Sequence, residues 1–264
     1  MSAPRLAIVL PAHNEAANLA RLLPAIPRRL EGVSQVDVIV VDDGSIDETG
    51  PVARGCQALV VTHRTNLGLG GALITGTEAA LTIGADIVVH MDGDGQHSPS
   101  DLPAILGPIL AREVDFSTGA RSFAAPMPRV LQFGNRALSG VTALLFGVRH
   151  ADTQCGYRAF RAGAWPALKW SSVGYSIACE VLLNAHRHGV RWAVVPVQTI
   201  YLDPHKGTTP ADGVEILGRL LRWRFGHDRR PSRLSRADDD VRELALADFR
   251  QAVPTLASST VSGT

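Results

Sequence analysis

Short apolar runs alternate with segments of helical spacing along this chain, and polar clusters sit at the joints between them. Residues 6–10 form an apolar run stopped by Pro11, which reads as a buried strand. Residues 15–23 follow with Leu19, Leu22 and Leu23 on one side of a helix, and Asn14 is placed as its N-cap. Buried strands are predicted again over 36–41, 58–62, 87–91 and 114–118. Helices are predicted after Asp47, over 72–81, and from Pro99 and Asp101 onward. Strands alternating with helices imply βαβ units, hence an α/β fold with a central, mainly parallel sheet flanked by helices.

The second half is less regular. Residues 129–147 read as a helix with a basic opening and an apolar close. Residues 151–158 read as a loop leading into a short strand over 159–161, and 176–187 as a helix. Residues 192–200 are β-rich, and Pro196 marks an edge strand or its end. Asp212 is placed as the cap of a helix over 213–225. The folded domain is therefore drawn as 1–228, followed by a charged, partly disordered tail over 229–264 with one short helix near 241–252.

Composition narrows the picture without naming a partner. A chain of 264 residues suffices for one sizeable domain or two small ones. A net charge of +1 gives no argument for nucleic-acid binding. Cys56, Cys155 and Cys179 are far apart and lack metal spacing, which fits a reduced, intracellular setting. The first residues lead into a strand with no signal-peptide pattern, and no apolar run approaches the ~20 residues that span a bilayer.

The candidate chemistry lies where strands give way to helices. His13-Asn14-Glu15, Asp42-Asp43, Asn66 and Asp92-Asp94 all follow strand ends, and open α/β sheets bind ligands along that edge. The stretch 88–97 carries most: an apolar run ends in two carboxylates separated by Gly93. Asp92 and Asp94 can share one hard cation, and Gln96 adds a neutral oxygen. Mg²⁺ and Mn²⁺ favour such oxygen ligands and commonly bridge a few carboxylates to substrate phosphates. A plain polar turn is the alternative reading of the same residues.

In order, Pro11-Ala12-His13-Asn14-Glu15, Asp42-Asp43-Gly44-Ser45, Asn66-x-Gly68-x-Gly70, Asp92-x-Asp94-x-Gln96-His97 and Gly119-Ala120-Arg121 resemble the family 2 inverting glycosyltransferases of GT-A fold. The run Asp152-Thr153-Gln154-Cys155-Gly156-Tyr157-Arg158 is similar to the branch that makes polyprenyl- or dolichyl-phosphate sugars, including the dolichyl-phosphate mannose and glucose synthases. The likeness spans roughly residues 5–201.

The resemblance implies a GT-A catalytic domain over 1–228, a nucleoside diphosphate sugar donor, a polyprenyl phosphate acceptor and Mg²⁺ or Mn²⁺. Pro11, Ala12, Asn14, Glu15, Asp42, Asp43, Asn66, Gly70, Asp92 and Gly93 would then line the nucleotide-sugar pocket, with one carboxylate among Glu15 and Asp43 or Asp42 accepting from the base or ribose. Asp92, Asp94 and Gln96 would hold the metal, and Arg121, Arg129 and Arg158 would face the acceptor phosphate or the donor diphosphate. The related enzymes often carry an Asp two residues before Glu180; here that position is Ala178, which leaves Glu180 as base or as a loop-orienting group. A lipid acceptor implies a peripheral enzyme on the cytoplasmic face of the membrane, and residues 129–148 are the candidate membrane-facing element. No nucleic acid is implied, and a homo-oligomer is left open. A hydroxyl acceptor, or nucleotide-sugar binding without catalysis, are the competing readings.

Overall fold

The computed structural model describes residues 2–121, 129–198, 210–226 and 236–259, with the backbone alone at 129–133, 210, 236 and 254–259. Its strands are β1 (Arg5–Ala12), β2 (Gln35–Asp43), β3 (Leu59–His63), β4 (Ile87–His90), β5 (Phe116–Arg121), β6 (Arg158–Arg161) and β7 (Trp192–Val197). The helices are α1 (Ala16–Leu22), α2 (Thr49–Gly55), α3 (Gly68–Thr82), α4 (Leu102–Leu110), α5 (Arg129–Phe146), α6 (Trp165–Leu168), α7 (Ile177–Arg187), α8 (Pro210–Phe225) and α9 (Arg236–Ser259).

The strands form one sheet in the order β3-β2-β1-β4-β6-β5-β7. All pairings are parallel except those of β6, which runs antiparallel between β4 and β5. Alternate residues of a strand face opposite ways, so each central strand feeds two cores. Leu6, Ile8 and Leu10 of β1 pack with Leu19 and Leu22 of α1 and Leu102 and Ile105 of α4. Ala7 and Val9 of the same strand face α3 and α7, with Ala72, Ile74, Ala79 and Leu182. That two-sided burial is why β1, β2 and β4 read as unbroken apolar runs. Pro196 sits in β7 at the edge of the sheet, where a missing N–H costs no ladder bond.

Two expectations change. Asn14 does not cap α1: it stands in the left-handed region (φ 56°), and its side-chain oxygen accepts from Ile46 N at 2.9 Å. Asp47 from the neighbouring loop does the capping, accepting from Ala16 N at 3.2 Å through Oδ2 and from Thr49 N at 3.0 Å through Oδ1. One carboxylate thus satisfies the first turns of both α1 and α2, and ties their loops together.

The second change is at the C-terminus. Residues 236–259 form a helix of 24 residues, where the sequence suggested a short helix in a loose tail. Ala245, Leu246 and Phe249 are all at most 5% exposed, and α9 packs across α3 and β3. Their spacing puts one apolar stripe on the sheet edge, while Asp238 and Asp239 sit in the first turn where the helix dipole favours them. Burying that stripe outweighs the high charge of the segment. Replacing Phe249 with Ala should therefore cost about 3 kcal/mol in urea unfolding; an unchanged midpoint would mean that α9 is not part of the cooperative fold.

Candidate active site

A cleft of about 490 Å³ opens at the carboxyl ends of β1, β2 and β4. That size suits a nucleotide-sized ligand. The end of β1 and the loop after it contribute Pro11, Ala12, His13 and Glu15; β2 contributes Asp43; the loop into α3 and its first turn contribute Asn66, Gly68 and Leu69. The loop after β4 contributes Asp92, Gly93, Asp94 and Gln96, and β6 with its preceding loop contributes Gln154, Gly156 and Arg158. The far wall is Tyr175, Ile177 and Ala178.

The acidic loop is built to face its carboxylates outward. Asp92, Asp94 and Gln96 are half-buried while Gly93, Gly95 and His97 between them are buried. Gly93 is required because a Cβ there would lie 2.6 Å from the carbonyl of Pro11. His97 is stacked on Tyr157 at 4.8 Å, accepts from Asp92 N through Nδ1 at 3.1 Å, and leaves Nε2 3.5 Å from the Asp92 carboxylate. Burial lowers the His97 pKa to about 4, so the ring is neutral and holds the loop rather than adding charge to it. Asp94 accepts from Gln96 N at 2.9 Å. Burial first, and then the Asp92 charge, push the Asp94 carboxyl up to about 6. Burial also raises Asp92, opposed by the charges of Arg121 and Arg158.

Arg158 is 4% exposed and registers opposite His90 across the antiparallel pair, so β6 brings a cation alongside the end of β4. Its Nη2 donates to Ala178 O at 3.0 Å, while its buried Nε–H meets no acceptor among the described residues. Arg121 also lines the cleft, but its Nε and Nη2 are taken by the fully buried Asp152 at 2.5 and 3.0 Å. It contributes positive charge to the wall, with one edge of its fork already committed. Arg129 opens α5, and its side chain lies outside the described residues.

Three expected site residues play other parts. Asp42 lies outside the lining and closes the turn that follows β2, accepting from Ser45 N at 3.1 Å. Asp43 is the carboxylate that reaches the cleft, and its Oδ1 accepts from His63 Nδ1 at 2.7 Å and Leu67 N at 2.8 Å. Gly70 does not reach the cleft; it is glycine because a Cβ would strike Ser172 O and the Val173 backbone, and its N–H donates to Val173 O at 3.0 Å. Asn14 likewise is absent from the lining and joins the two neighbouring loops.

Glu180 is the fourth correction. Its Oε1 accepts from Ser171 N at 3.0 Å and Ser171 Oγ at 2.8 Å, and its Oε2 accepts from Ser172 N at 3.0 Å. A carboxylate holding three donors, and missing from the lining, anchors the 171–172 loop. The residue that does face the cleft from this helix is Ala178. His90 and Tyr175 line the site without having been given a part from the sequence, and His13, Gln154 and Gly156, quoted only within motifs, line it too. His90 lies at the end of a buried run, where burial lowers its pKa to about 3, and it is held at 2.9 Å by Thr77 Oγ1.

A sheet of this order, with a nucleotide-sized cleft at its carboxyl edge and a paired-carboxylate loop, has the architecture of the GT-A fold. Residues 7–132 match the model described as Glycosyl transferase family 2. The UDP-N-acetylglucosamine–dolichyl-phosphate N-acetylglucosaminyltransferase of Methanococcus voltae is 30% identical over 83% of this chain and 96% of its own. The undecaprenyl-phosphate mannosyltransferase of Micrococcus luteus is 33% identical over 83% of this chain and 93% of its own. Glucosyl-3-phosphoglycerate synthase from Mycobacterium tuberculosis, solved with Mn²⁺, UDP-glucose and phosphoglyceric acid, superposes with a TM-score of 0.65 at 24% identity over 84% of this chain and 80% of that one, a likeness of fold. The chain belongs to glycosyl transferase family 2, and the Methanococcus and Micrococcus relatives support the polyprenyl-phosphate sugar synthase branch.

If Glu180 anchors the 171–172 segment, Glu180→Gln should lower stability by about 1–2 kcal/mol, because one of the donors loses its acceptor. Turnover should stay within about tenfold of wild type, short of the 10²–10⁴ that general-base removal costs. A thousandfold loss in a folded Glu180→Gln variant would restore it as the base.

Proposed function

We propose that this glycosyltransferase moves a sugar from a nucleoside diphosphate sugar to a polyprenyl phosphate, with a divalent cation at the acidic loop. The observation that carries the acceptor is the cleft wall at Ala178: no carboxylate lines the side formed by Tyr175, Ile177 and Ala178 among the described residues, and Glu180 is turned away into hydrogen bonds. A hydroxyl acceptor needs a base to take its proton, whereas a phosphate monoester is already an anion at neutral pH. Such a nucleophile needs cationic placement instead, and the Arg158 and Arg121 guanidinium groups give the cleft that charge.

The acidic loop fits Mg²⁺ or Mn²⁺ by its donor set. Asp92, Asp94 and Gln96 are oxygen donors on one side of the cleft, and the two carboxylates are held at a cost that a cation would relieve. Among the described residues no cluster of three His, Cys, Asp or Glu stands ready for a metal, so substrate phosphates and water would complete the shell, as is usual for Mg²⁺. A bound divalent ion would offset the charge that gathers on the departing nucleoside diphosphate. Within the chain, Asp43 would hold the base or ribose, Gly68 and Asn66 would let the nucleotide approach the start of α3, and Arg158 would steer the acceptor phosphate. Attack from the side opposite the diphosphate inverts the anomeric centre. UDP is the first donor to test, and the sugar follows from a panel.

A lipid acceptor must be met at a membrane. No helix among the described residues is long and apolar enough to cross one. Residues 129–148, the segment expected to face lipid, belong largely to α5, which buries Leu138 and Thr142 and exposes Leu144. The exposed stripe is on α8 instead: Val214, Leu217, Leu221 and Phe225 share one face, while Ile216 and Leu220 are buried on the other. Exposed Arg222 and Arg224 flank that stripe on its two sides, the pattern of a helix lying on an anionic lipid surface. Burial raises the pKa of Tyr175 at the cleft wall, and Asp212 at the start of α8 lies close enough to add to the rise. The proposed docking face therefore begins beside the site it would serve.

Two outcomes are expected. Asp94→Asn should cut transfer at least a thousandfold, about 4 kcal/mol of barrier, with no loss of thermal stability, because it removes a like charge beside Asp92; full transfer in the folded variant would remove the metal from this reading. The chain should cosediment with phosphatidylglycerol vesicles, and Leu217→Glu with Leu221→Glu should reduce this at least tenfold while leaving transfer to a short, water-soluble acceptor intact. Wild-type protein that stays in the supernatant would rule out α8 as the docking face.

A further inference from the structure

We infer that Arg242 in α9 is a positioning residue for the nucleotide end of the cleft, acting on Asp43 through Thr75 and His63. This rests on the donor-site reading above and adds a connection from the C-terminal helix to it. The four side chains form a continuous buried chain. Arg242 Nε donates to Thr75 Oγ1 at 3.3 Å, Thr75 Oγ1 lies 2.9 Å from His63 Nε2, and His63 Nδ1 lies 2.7 Å from Asp43 Oδ1. His63 is 1% exposed, Thr75 is 0% exposed, Asp43 is 4% exposed and Arg242 is 8% exposed, so water does not compete along the path.

A carboxylate only accepts, so His63 Nδ1 carries a proton towards Asp43. Thr75 Oγ1 keeps a lone pair for Arg242 Nε–H whether its own O–H is directed at His63 Nε2 or at Gly71 O. The alternative acceptor for the Thr75 hydroxyl, Gly71 O, is farther away at 3.1 Å. Each group therefore fixes the orientation of the next, ending on one oxygen of the carboxylate that lines the cleft. Arg242 itself is set by Glu78 and by Asp239, the latter at 2.9 Å. None of these contacts touches the acidic loop.

The geometry predicts a selective effect. Loosening the chain should weaken the grip on the nucleoside and leave the diphosphate end alone. Thr75→Val keeps the shape and removes the hydroxyl; Thr75→Ser keeps the hydroxyl. Calorimetric titration with Mn²⁺ present, using whichever of UDP and GDP binds wild type more tightly, should show at least tenfold weaker binding for Thr75→Val and binding within twofold of wild type for Thr75→Ser. Inorganic pyrophosphate with Mn²⁺ should bind all three alike, and the loss in Thr75→Val should enter KM for the donor and not kcat. A merely structural defect would weaken both ligands together. If Thr75→Val does not fold, Arg242→Met makes the same comparison, since Glu78 keeps Lys169 at 3.0 Å and is not orphaned. Unchanged nucleotide affinity in the folded variant, or equal losses for nucleotide and pyrophosphate, would overturn this inference alone. Wild-type protein that binds neither nucleotide would overturn the donor-site reading and this inference with it.

Discussion

Two carboxylates held side by side at the end of a buried strand are the constraint around which this site is organised. Burial raises both carboxyl groups, and at Asp94 the neighbouring Asp92 charge adds to the rise. The fold holds them there regardless. Gly93 lets the loop lie against β1, neutral His97 braces Asp92 from behind, and the Gln96 N–H fixes Asp94. Such a pair does little for stability by itself; in the proposed function it would receive a cation with the donor's diphosphate.

The antiparallel strand β6 supplies the opposing charge. Inserted between β4 and β5, it carries Arg158 to the end of β4 and leads in from the 152–157 loop, where Asp152 holds Arg121. The acidic loop that follows β4 and the cation on β6 thus come from adjoining strands. Gly156 keeps the two close, since a Cβ there would lie 3.0 Å from an Asp92 oxygen. Behind the far wall, Glu180 spends both oxygens on the Ser171–Ser172 backbone, and Gly70 packs against the same segment. The wall made by Tyr175, Ile177 and Ala178 is thus braced from behind, and in the proposed function it would face an acceptor that arrives already ionised.

Much of this was legible from the chain. The apolar runs located the five strands β1 to β5 to within a few residues, because two-sided burial leaves little room for polar positions. The polar joints located Glu15, Asp43, Asn66, Asp92, Asp94 and Gln96, all of which line the cleft. What failed depended on contacts distant in sequence. Asn14 had the composition of a cap, but Asp47 reached the helix start first. Gly70 looked like a ligand-approach glycine, and its neighbour is Ser172. Glu180 had the right type for a base, and its partners are backbone amides at Ser171 and Ser172. The charged C-terminal segment hid three apolar positions that dock α9. Thr75 and Thr77, polar residues on a helix otherwise buried nearly all round, were the one available signal that α3 carries a hydrogen-bonded path to His63 and His90.

The central claim is that the acidic loop forms half of a metal site and the donor's diphosphate forms the other half. It is tested most directly by following Mn²⁺ binding by electron paramagnetic resonance with and without UDP. Mn²⁺ alone should bind weakly, UDP should tighten it by at least a hundredfold, and Asp92→Asn should abolish that gain. Tight Mn²⁺ binding that ignores UDP, or a UDP-dependent gain that survives Asp92→Asn, would contradict it.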